Sequence, residues 1–275
     1  NEYIPGIAVA IAKRHWLAVD EPLAAHSRSM TEENWSRRRD LVVLGEITPA
    51  TGLPPGVGLG LLERLEAGLL SSSLTDVMVA ALAGRQKPDG TWDDGEGIRP
   101  PLNGNVFAST ALAVRALTAF APAAYKAEFG QRVTRARAFL LAAPAIDTQD
   151  HAFRLLGLVW SQAPRHEIDR ARRSLTALQR EDGGWGQMPT LASDAYATGQ
   201  ALYALNAAGI RADDPIYRRG VANLLETQLE DGTWFVRTRA FGVQPYFETG
   251  FPHGASQFIS ATATAWAVIA LGNTL

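Results

Sequence analysis

Gln86-Lys87-Pro88-Asp89-Gly90-Thr91-Trp92, Gln179-Arg180-Glu181-Asp182-Gly183-Gly184-Trp185 and Gln228-Leu229-Glu230-Asp231-Gly232-Thr233-Trp234 are three copies of one pattern, Q-x-x-D-G-[T/G]-W. Trp185 and Trp234 lie 49 residues apart, and Trp92 and Trp185 lie 93 apart, nearly twice that. A repeat of about 47 residues therefore runs through the chain, with a degenerate unit between the first two copies. Each unit reads as two helices of opposite character. A charged helix precedes the motif: Gln131–Leu141 carries Arg132, Arg135 and Arg137, Glu167–Gln179 carries Asp169, Arg170, Arg172 and Arg173, and Pro215–Gln228 opens with Pro in its first turn. A helix almost without charge follows it: Val106–Ala119, Asp194–Ala208 and Gln257–Leu271. Polarity on one side marks an outer helix facing water, and apolarity all round marks an inner one.

Fainter copies continue upstream. Tyr3–Trp16 and Gly58–Leu69 read as inner helices, Thr31–Leu44 and Leu74–Gln86 as outer ones, and a further inner helix starts near Asp150. The expected fold is all-α, an α/α toroid of about six inner and five to six outer helices in one domain, 1–275. An open helical solenoid is the alternative. In the motif itself, Gln ends the outer helix and Asp-Gly turns the chain. The glycine supplies the positive φ that closes the helix C-terminus. The Trp packs back between helices, burying about 150–250 Å². Repetition at fixed spacing makes all three motifs scaffold.

Composition narrows the chemistry. The chain has 275 residues, 47% hydrophobic and 20% charged, with 26 Lys and Arg against 28 Asp and Glu. That is globular, and a net charge of −2 provides no basic excess to hold nucleic acid. The absence of cysteine excludes disulfides, thiol nucleophiles and cysteine-ligated metals. His15, His26, His151, His166 and His253 show no H-x-x-x-H spacing, so no metal site and no cofactor are expected. Gly56–Gly60 follows no strand and is rejected as a nucleotide loop. Asp93 and Asp94 are read as solvated loop carboxylates.

The chain begins at Asn1, not Met, in a stretch that already reads as helix, so it is expected to be a trimmed or processed product. No Asp, Glu, Lys or Arg occurs after Glu248, but polar residues interrupt the apolar run, so a buried helix is expected there and no transmembrane segment. The chain is expected to be soluble, cytoplasmic or exported after signal removal.

At the repeated motifs the sequence resembles the terpenoid cyclase and protein prenyltransferase toroid superfamily, particularly squalene–hopene cyclases, whose QW motifs look like these three. Gly183-Gly184-Trp185-Gly186 followed by Ser193-Asp194-Ala195-Tyr196-Ala197-Thr198 resembles the cyclase segment ending in D-x-D-D-T-A. Gly250-Phe251-Pro252 resembles a Gly-Phe-Pro near the cyclase C-terminus. The likeness covers about residues 74–275. It implies a toroid that binds an isoprenoid or other apolar ligand.

The acid motif departs from the pattern. The matching run is Asp194-Ala195-Tyr196-Ala197, so Asp194 falls on the first Asp while Tyr196 occupies the proton-donor position. A phenol of pKa near 10 is a far weaker acid than a carboxylic acid. Squalene cyclisation by the usual mechanism is therefore not expected. Branches that need cysteine fall away: zinc-binding prenyltransferase β-subunits, lanthionine cyclases and thioester domains. Polysaccharide lyases and glycosidases on α/α barrels survive as an alternative, as does a protein-interaction scaffold.

The candidate catalytic residues are Asp194, Tyr196, Glu248 and His253. Asp194 is expected first to be a helix N-cap, a role that can coexist with a catalytic one. Glu248 and His253 lie in the long segment from Arg237 to Gly254, where they could form an acid–base pair. The candidate ligand-binding residues are Phe107, Phe153 and Trp160 on inner helices, with Arg239, Tyr246 and Phe251 in that segment. Tyr203, Phe258 and Trp266 are further aromatics on inner helices, fit for cation–π contacts or for core.

Overall fold

The computed structural model describes residues 3–44, 54–92, 100–240 and 246–275. In chain order these form α1 (Tyr3–Arg14), α2 (Glu21–Arg37), α3 (Arg39–Val43), α4 (Pro54–Glu66), α5 (Ser73–Gly84) and α6 (Val106–Ala119). There follow α7 (Lys126–Ala142), α8 (Thr148–Trp160), α9 (Arg165–Thr176), α10 (Ala195–Ala207), α11 (Pro215–Thr227) and α12 (Gln257–Gly272). Among the described residues there is no strand, only an isolated bridge between Gly186 and Ser193.

Six of these helices close a ring. α1 packs on α4, α4 on α6, α6 on α8, α8 on α10, α10 on α12, and α12 returns to α1. Return of the last helix to the first makes this a toroid and not an open solenoid. Their composition explains their place: in α10 every residue from Ala195 to Leu205 is buried. In α9, by contrast, Ala171 and Leu175 are the buried residues and the remaining face is charged. The outer helices sit over the ring: α5 on α4 and α6, α7 on α6 and α8, α9 on α8, α11 on α10 and α12, and α2 on α1, with α3 against α5. Helix α2, on α1, also faces the start of α12 across a cavity. Helix α2 begins at Glu21, well before the expected Thr31, because Asp20 caps it by accepting from Leu23 N at 2.9 Å and Pro22 fits its first turn.

The three Trp motifs fasten each outer helix to its neighbours. The Gln86 side-chain amide donates to Gly90 O (3.1 Å) in its own turn and to Arg132 O (2.8 Å) in α7. Gln179 repeats this at Gly183 O and Ile216 O of α11, both at 2.8 Å. Each indole N–H donates to a carbonyl of the preceding outer segment: Trp92 to Leu82, Trp185 to Leu175 and Trp234 to Leu224. Each Trp backbone N–H donates to a threonine hydroxyl of the following inner helix, Thr110, Thr198 or Thr264. The glycine's role differs from expectation. α5 ends at Gly84 and α9 at Thr176, so Gly90 and Gly183 close the loop turn and not the helix. Their φ values are +90° and +81°. A Cβ on either would lie 2.5 Å from a carbonyl oxygen of the next outer helix, Arg135 or Arg219.

Side chains from the inner helices meet in the middle of the ring. Phe153 of α8 and Tyr203 of α10 pack on Trp266 of α12, with centroids at 6.4 and 5.6 Å. The Arg115 guanidinium of α6 lies 5.5 Å from the Trp160 ring. Glu66, Arg115 and Arg14 all act on the Tyr203 phenol, so every inner helix contributes to this layer. The stretch Gly254–Gly272 is long and apolar enough to cross a membrane by length and composition, yet 61% of its most apolar window is buried inside the fold.

Two substitutions test the fastening role in urea denaturation. Gln179→Ala, which removes both bridging donors, is expected to cost ~1–3 kcal/mol. Trp185→Ala, which empties a fully buried site, is expected to cost ~3–5 kcal/mol. A neutral Gln179→Ala would show that the bridge to α11 does not hold the outer layer.

Candidate functional site

Consecutive inner helices begin with the same device. Asn105 Oδ1 accepts from Ala108 N at 2.7 Å, Asp147 Oδ1 from Asp150 N at 2.8 Å, and Asp194 Oδ1 from Ala197 N at 2.9 Å. Each is an extended residue capping α6, α8 or α10, so the three caps line one rim of the ring. The loop between Trp185 and Asp194 folds back through the Gly186–Ser193 bridge, and Thr148 Oγ1 ties it to α8 by donating to Gly186 O at 2.7 Å. This places Gln187 at the rim. Its amide nitrogen donates to Asp194 Oδ2 (2.8 Å), and its amide oxygen accepts from Arg239 Nε (2.8 Å). Arg239, far along the chain, is thereby carried to Asp194 and Asp147.

Burial, reinforced by the charge of Asp150, pushes Asp147 up to about 6, against hydrogen bonds and the opposing pull of Arg239. Burial also raises Asp194, while its bonds to Ala197 N–H and Gln187 hold it down. Just inside the rim, Tyr196 donates to Gln149 Oε1 at 2.9 Å, and Gln149 Nε2 donates to Pro101 O at 3.1 Å. Burial drives the Tyr196 phenol up, so it is a hydrogen-bond donor that keeps its proton. Asp150 is occupied, accepting from Asn105 Nδ2 and Ile146 N.

The remaining expected residues scatter. Glu248 and His253 do not pair with one another. Glu248 accepts from the Tyr246 hydroxyl at 2.6 Å and from the Thr249 and Gly250 amides at 3.0 Å, which lowers its pKa and makes it a turn anchor. His253 Nε2 instead meets Thr233 Oγ1 at 2.8 Å, tying the segment back to the third Trp motif. Tyr246 is exposed. Phe107 does not face the ring centre: it packs on Phe139 of α7 at 5.3 Å and lies under the Arg154 guanidinium at 5.1 Å. Phe153 and Trp160 do reach the centre, where they serve as packed core. Gly56–Gly60 lies within α4. Asp93, Asp94 and the part of the long segment from 241 to 245 lie outside the described residues.

Asp147, Gln149 and Gln187 are absent from the sequence-derived candidates. Asp147 was legible in principle: it precedes Asp194 by 47 residues, one repeat, and occupies the equivalent cap. Starting the helix at Asp150 hid it.

A second feature lies outside the ring. A cavity of about 760 Å³ opens between the outward faces of α1, α4 and α12 and the overlying α2. Pro5, Gly6, Val9 and Ala10 of α1 form one wall, and Phe251, Phe258 and Ala261 another. Val19, Leu23 and Ala24 close it from the α2 side, and Glu63 and Ala67 come from the end of α4. Helix α2 buries Trp35 alone, against Tyr3, so its N-terminal half rests over the cavity without packing into the ring. Phe251 thus lines this cavity, together with Phe258. Among the described residues no group of acidic and histidine side chains is arranged to hold a metal.

The profile described as squalene-hopene cyclase C-terminal domain matches residues 134–274. A squalene–hopene cyclase from Bradyrhizobium diazoefficiens is 35% identical over a stretch covering 37% of this chain and 17% of that protein, so the chain spans 17% of the length of this curated relative. Among solved structures, the type II terpene cyclase MstE from Scytonema in its apo form superposes with a TM-score of 0.56 at 14% identity, covering 98% of this chain and 86% of that one. A variant of the same enzyme in complex with geranylgeranyl dihydroxybenzoate gives 0.58 at 14% identity, covering 99% and 87%. The fold is thus that of squalene-cyclase-like terpene cyclases.

The rim yields a pH prediction. Asp147 titrates near 6 in the fold and near 4 when unfolded, so the fold favours its protonated form. Stability should therefore fall as pH rises from about 4 to about 6, by up to ~3 kcal/mol, and stay lowered above that. Asp147→Asn keeps a competent cap and removes the charge. It should match the wild type near pH 4 and exceed it by ~1–3 kcal/mol above pH 6 in chemical denaturation. Identical pH profiles for the two proteins would contradict this.

Proposed function

Because the chain belongs to the squalene-hopene cyclase C-terminal domain family, we propose that it binds an isoprenoid or similar apolar ligand in the cavity beneath α2 and does not carry out class II cyclisation. The cavity is the observation that carries this reading. Its size falls in the roughly 300–1,000 Å³ range of small-molecule sites, and its walls are mostly aliphatic and aromatic. The structures of MstE variants in complex with geranylgeranyl dihydroxybenzoate and with merosterolic acid A agree with an isoprenoid-type ligand. We read residues 1–275 as one toroid domain.

The second half of the reading rests on the rim. Class II cyclases protonate an alkene with a carboxylic acid made unusually acidic. Here Tyr196 and Ala197 replace two of the three carboxylates of that motif. Both oxygens of Asp194 are engaged, one by the helix it caps and one by Gln187. Burial raises Asp147 and Asp194, which makes them weaker acids. A protein-interaction scaffold is the second reading, favoured by one observation: side chains from all six inner helices meet at the ring centre. For a polysaccharide-acting enzyme, which could use Asp194, Tyr196, Arg239, Glu248 or His253, Glu248 and His253 are engaged apart from one another.

Calorimetric titration of the purified chain with farnesol tests the binding. We expect saturable binding with a micromolar Kd, weakened at least tenfold by Ala261→Phe, which fills the cavity. Absence of saturable binding, or binding indifferent to Ala261→Phe, would overturn the site. Incubation with squalene should yield no cyclised product, and a cyclised product would overturn the second half.

A further inference from the structure

We infer that the third Trp motif is the unpaired half of an outer-helix joint, and that it docks an amphipathic α-helix of a partner protein with the pattern apolar-x-Arg-small-x-x-x-Leu. The inference goes beyond ligand binding beneath α2 and does not depend on it.

Each of the first two motifs forms a joint with two halves. The Gln86 amide donates to Arg132 O of α7, and the Arg135 guanidinium donates back to Gln86 Oε1 at 2.9 Å. The Arg135 carbonyl oxygen lies 2.5 Å from where a Cβ on Gly90 would be. The second joint repeats this: Gln179 donates to Ile216 O of α11, Arg219 donates back to Gln179 Oε1, and the Arg219 carbonyl seats against Gly183. The two incoming helices share one pattern, Val133-x-Arg135-Ala136-x-x-x-Leu140 and Tyr217-x-Arg219-Gly220-x-x-x-Leu224. In both, the apolar, small and Leu positions share a helix face and are buried.

The third motif is folded like the others. Gln228 Nε2 donates to Gly232 O at 3.0 Å, Leu229 N to Thr233 O at 2.9 Å and the Trp234 indole to Leu224 O at 2.8 Å. Among the described residues, however, no helix takes up its clasp. Gln228 is exposed and bonds only within its own turn. Gly232 keeps a φ of +81°, yet a Cβ there would meet only Gln228, at 3.9 Å. Gly90 and Gly183 are buried, whereas Gly232 is exposed.

The adjoining inner helix differs in the same way. Thr110, Thr198 and Thr264, which receive the Trp backbone N–H groups, set a common register. In that register Phe107, Val114 and Leu117 of α6 and Ala195, Leu202 and Leu205 of α10 are buried. The incoming helices cover them: Phe139 of α7 packs on Phe107, and Gly220 of α11 approaches Leu202 so closely that a Cβ would lie 2.8 Å from it. The matching positions of α12, Ala261, Val268 and Leu271, are only half-buried. Turn, clasp and apolar stripe of a joint are thus all present at the third motif. Leu225, Leu229 and Phe235 add exposed apolar area around it. The exposed carboxylates Glu226, Glu230 and Asp231 flank Gln228 in sequence and complement an arginine on the incoming helix.

A fluorescently labelled peptide of residues 212–228, which carries the α11 pattern, tests the joint by anisotropy. Saturable binding to the intact chain is expected. It should weaken at least tenfold with Gln228→Ala or Gly232→Asn in the chain, and with Arg219→Ala in the peptide, as loss of a charge-assisted hydrogen bond implies. Both chain variants alter exposed positions, and Asn tolerates positive φ, so helical circular dichroism should be unchanged. No saturable binding, or binding indifferent to these three changes, would overturn the inference. Binding altered by Gln179→Ala and not by Gln228→Ala would mean exchange with α11 at the second motif, and would overturn it too. Sedimentation equilibrium of the chain alone should show a monomer. Self-association abolished by Gln228→Ala would assign the joint to a second copy and overturn the partner-protein reading.

Discussion

One side-chain amide repeated along the chain sets the toroid. Gln179 Nε2 donates at the same time to its own turn and to a carbonyl of the next outer helix, and Gln86 does the same one repeat-pair earlier. Two outer helices are thereby held at one distance. The adjoining Trp fixes the third partner, with its indole N–H on the outer segment behind it and its backbone N–H on the inner helix ahead. Buried polar groups that are fully satisfied hold geometry tightly, because breaking any one leaves an unpaired group in a low-dielectric interior. Helix spacing in this barrel therefore follows from a seven-residue motif, and apolar packing fills in behind it.

The same closure governs where function can reside. Aromatic side chains and a few charged ones meet at the ring centre, and a cavity of about 760 Å³ lies outside it, beneath α2. Helix α2 lies over α1, anchored by Trp35 at one end and loosely packed at the other, and the cavity lies beneath its loosely packed half. At the rim, by contrast, the carboxylates are committed to capping: Asp147 and Asp194 hold the starts of α8 and α10, and Gln187 and Arg239 draw them together. A cap that is also desolvated becomes a weak acid, which suits a structural carboxylate and not an alkene protonator.

The fold was legible because its signal is local and periodic. Gln, Asp, Gly and Trp recur at fixed spacing, and the charge difference between outer and inner helices survives where the motif does not, as in α7 and α8. The site was legible in part. Asp194 could be read as a cap from its type and position, and Tyr196 as an unsuitable acid. Asp147 escaped because a helix start misplaced by two residues hides the cap, although the repeat length pointed to it. Glu248 and His253 share a loop, but Glu248 is consumed by its own turn and His253 by Thr233. Phe107 sits on an inner helix that is apolar all round, where sequence does not say which face meets the axis; packing against Phe139 turned it outward. The cavity was illegible, being made by helices distant in sequence that meet only after ring closure.

Location of the bound ligand tests this description most directly. A diazirine-bearing isoprenoid alcohol, photolysed on the folded chain and mapped by peptide mass spectrometry, should label residues 5–10 of α1 and 251–261 around the start of α12, with competition by unlabelled farnesol. Labelling concentrated instead at the rim, around 147–149, 187–196 and 239, would place the ligand on the ring's mouth and contradict the cavity beneath α2 as the binding site.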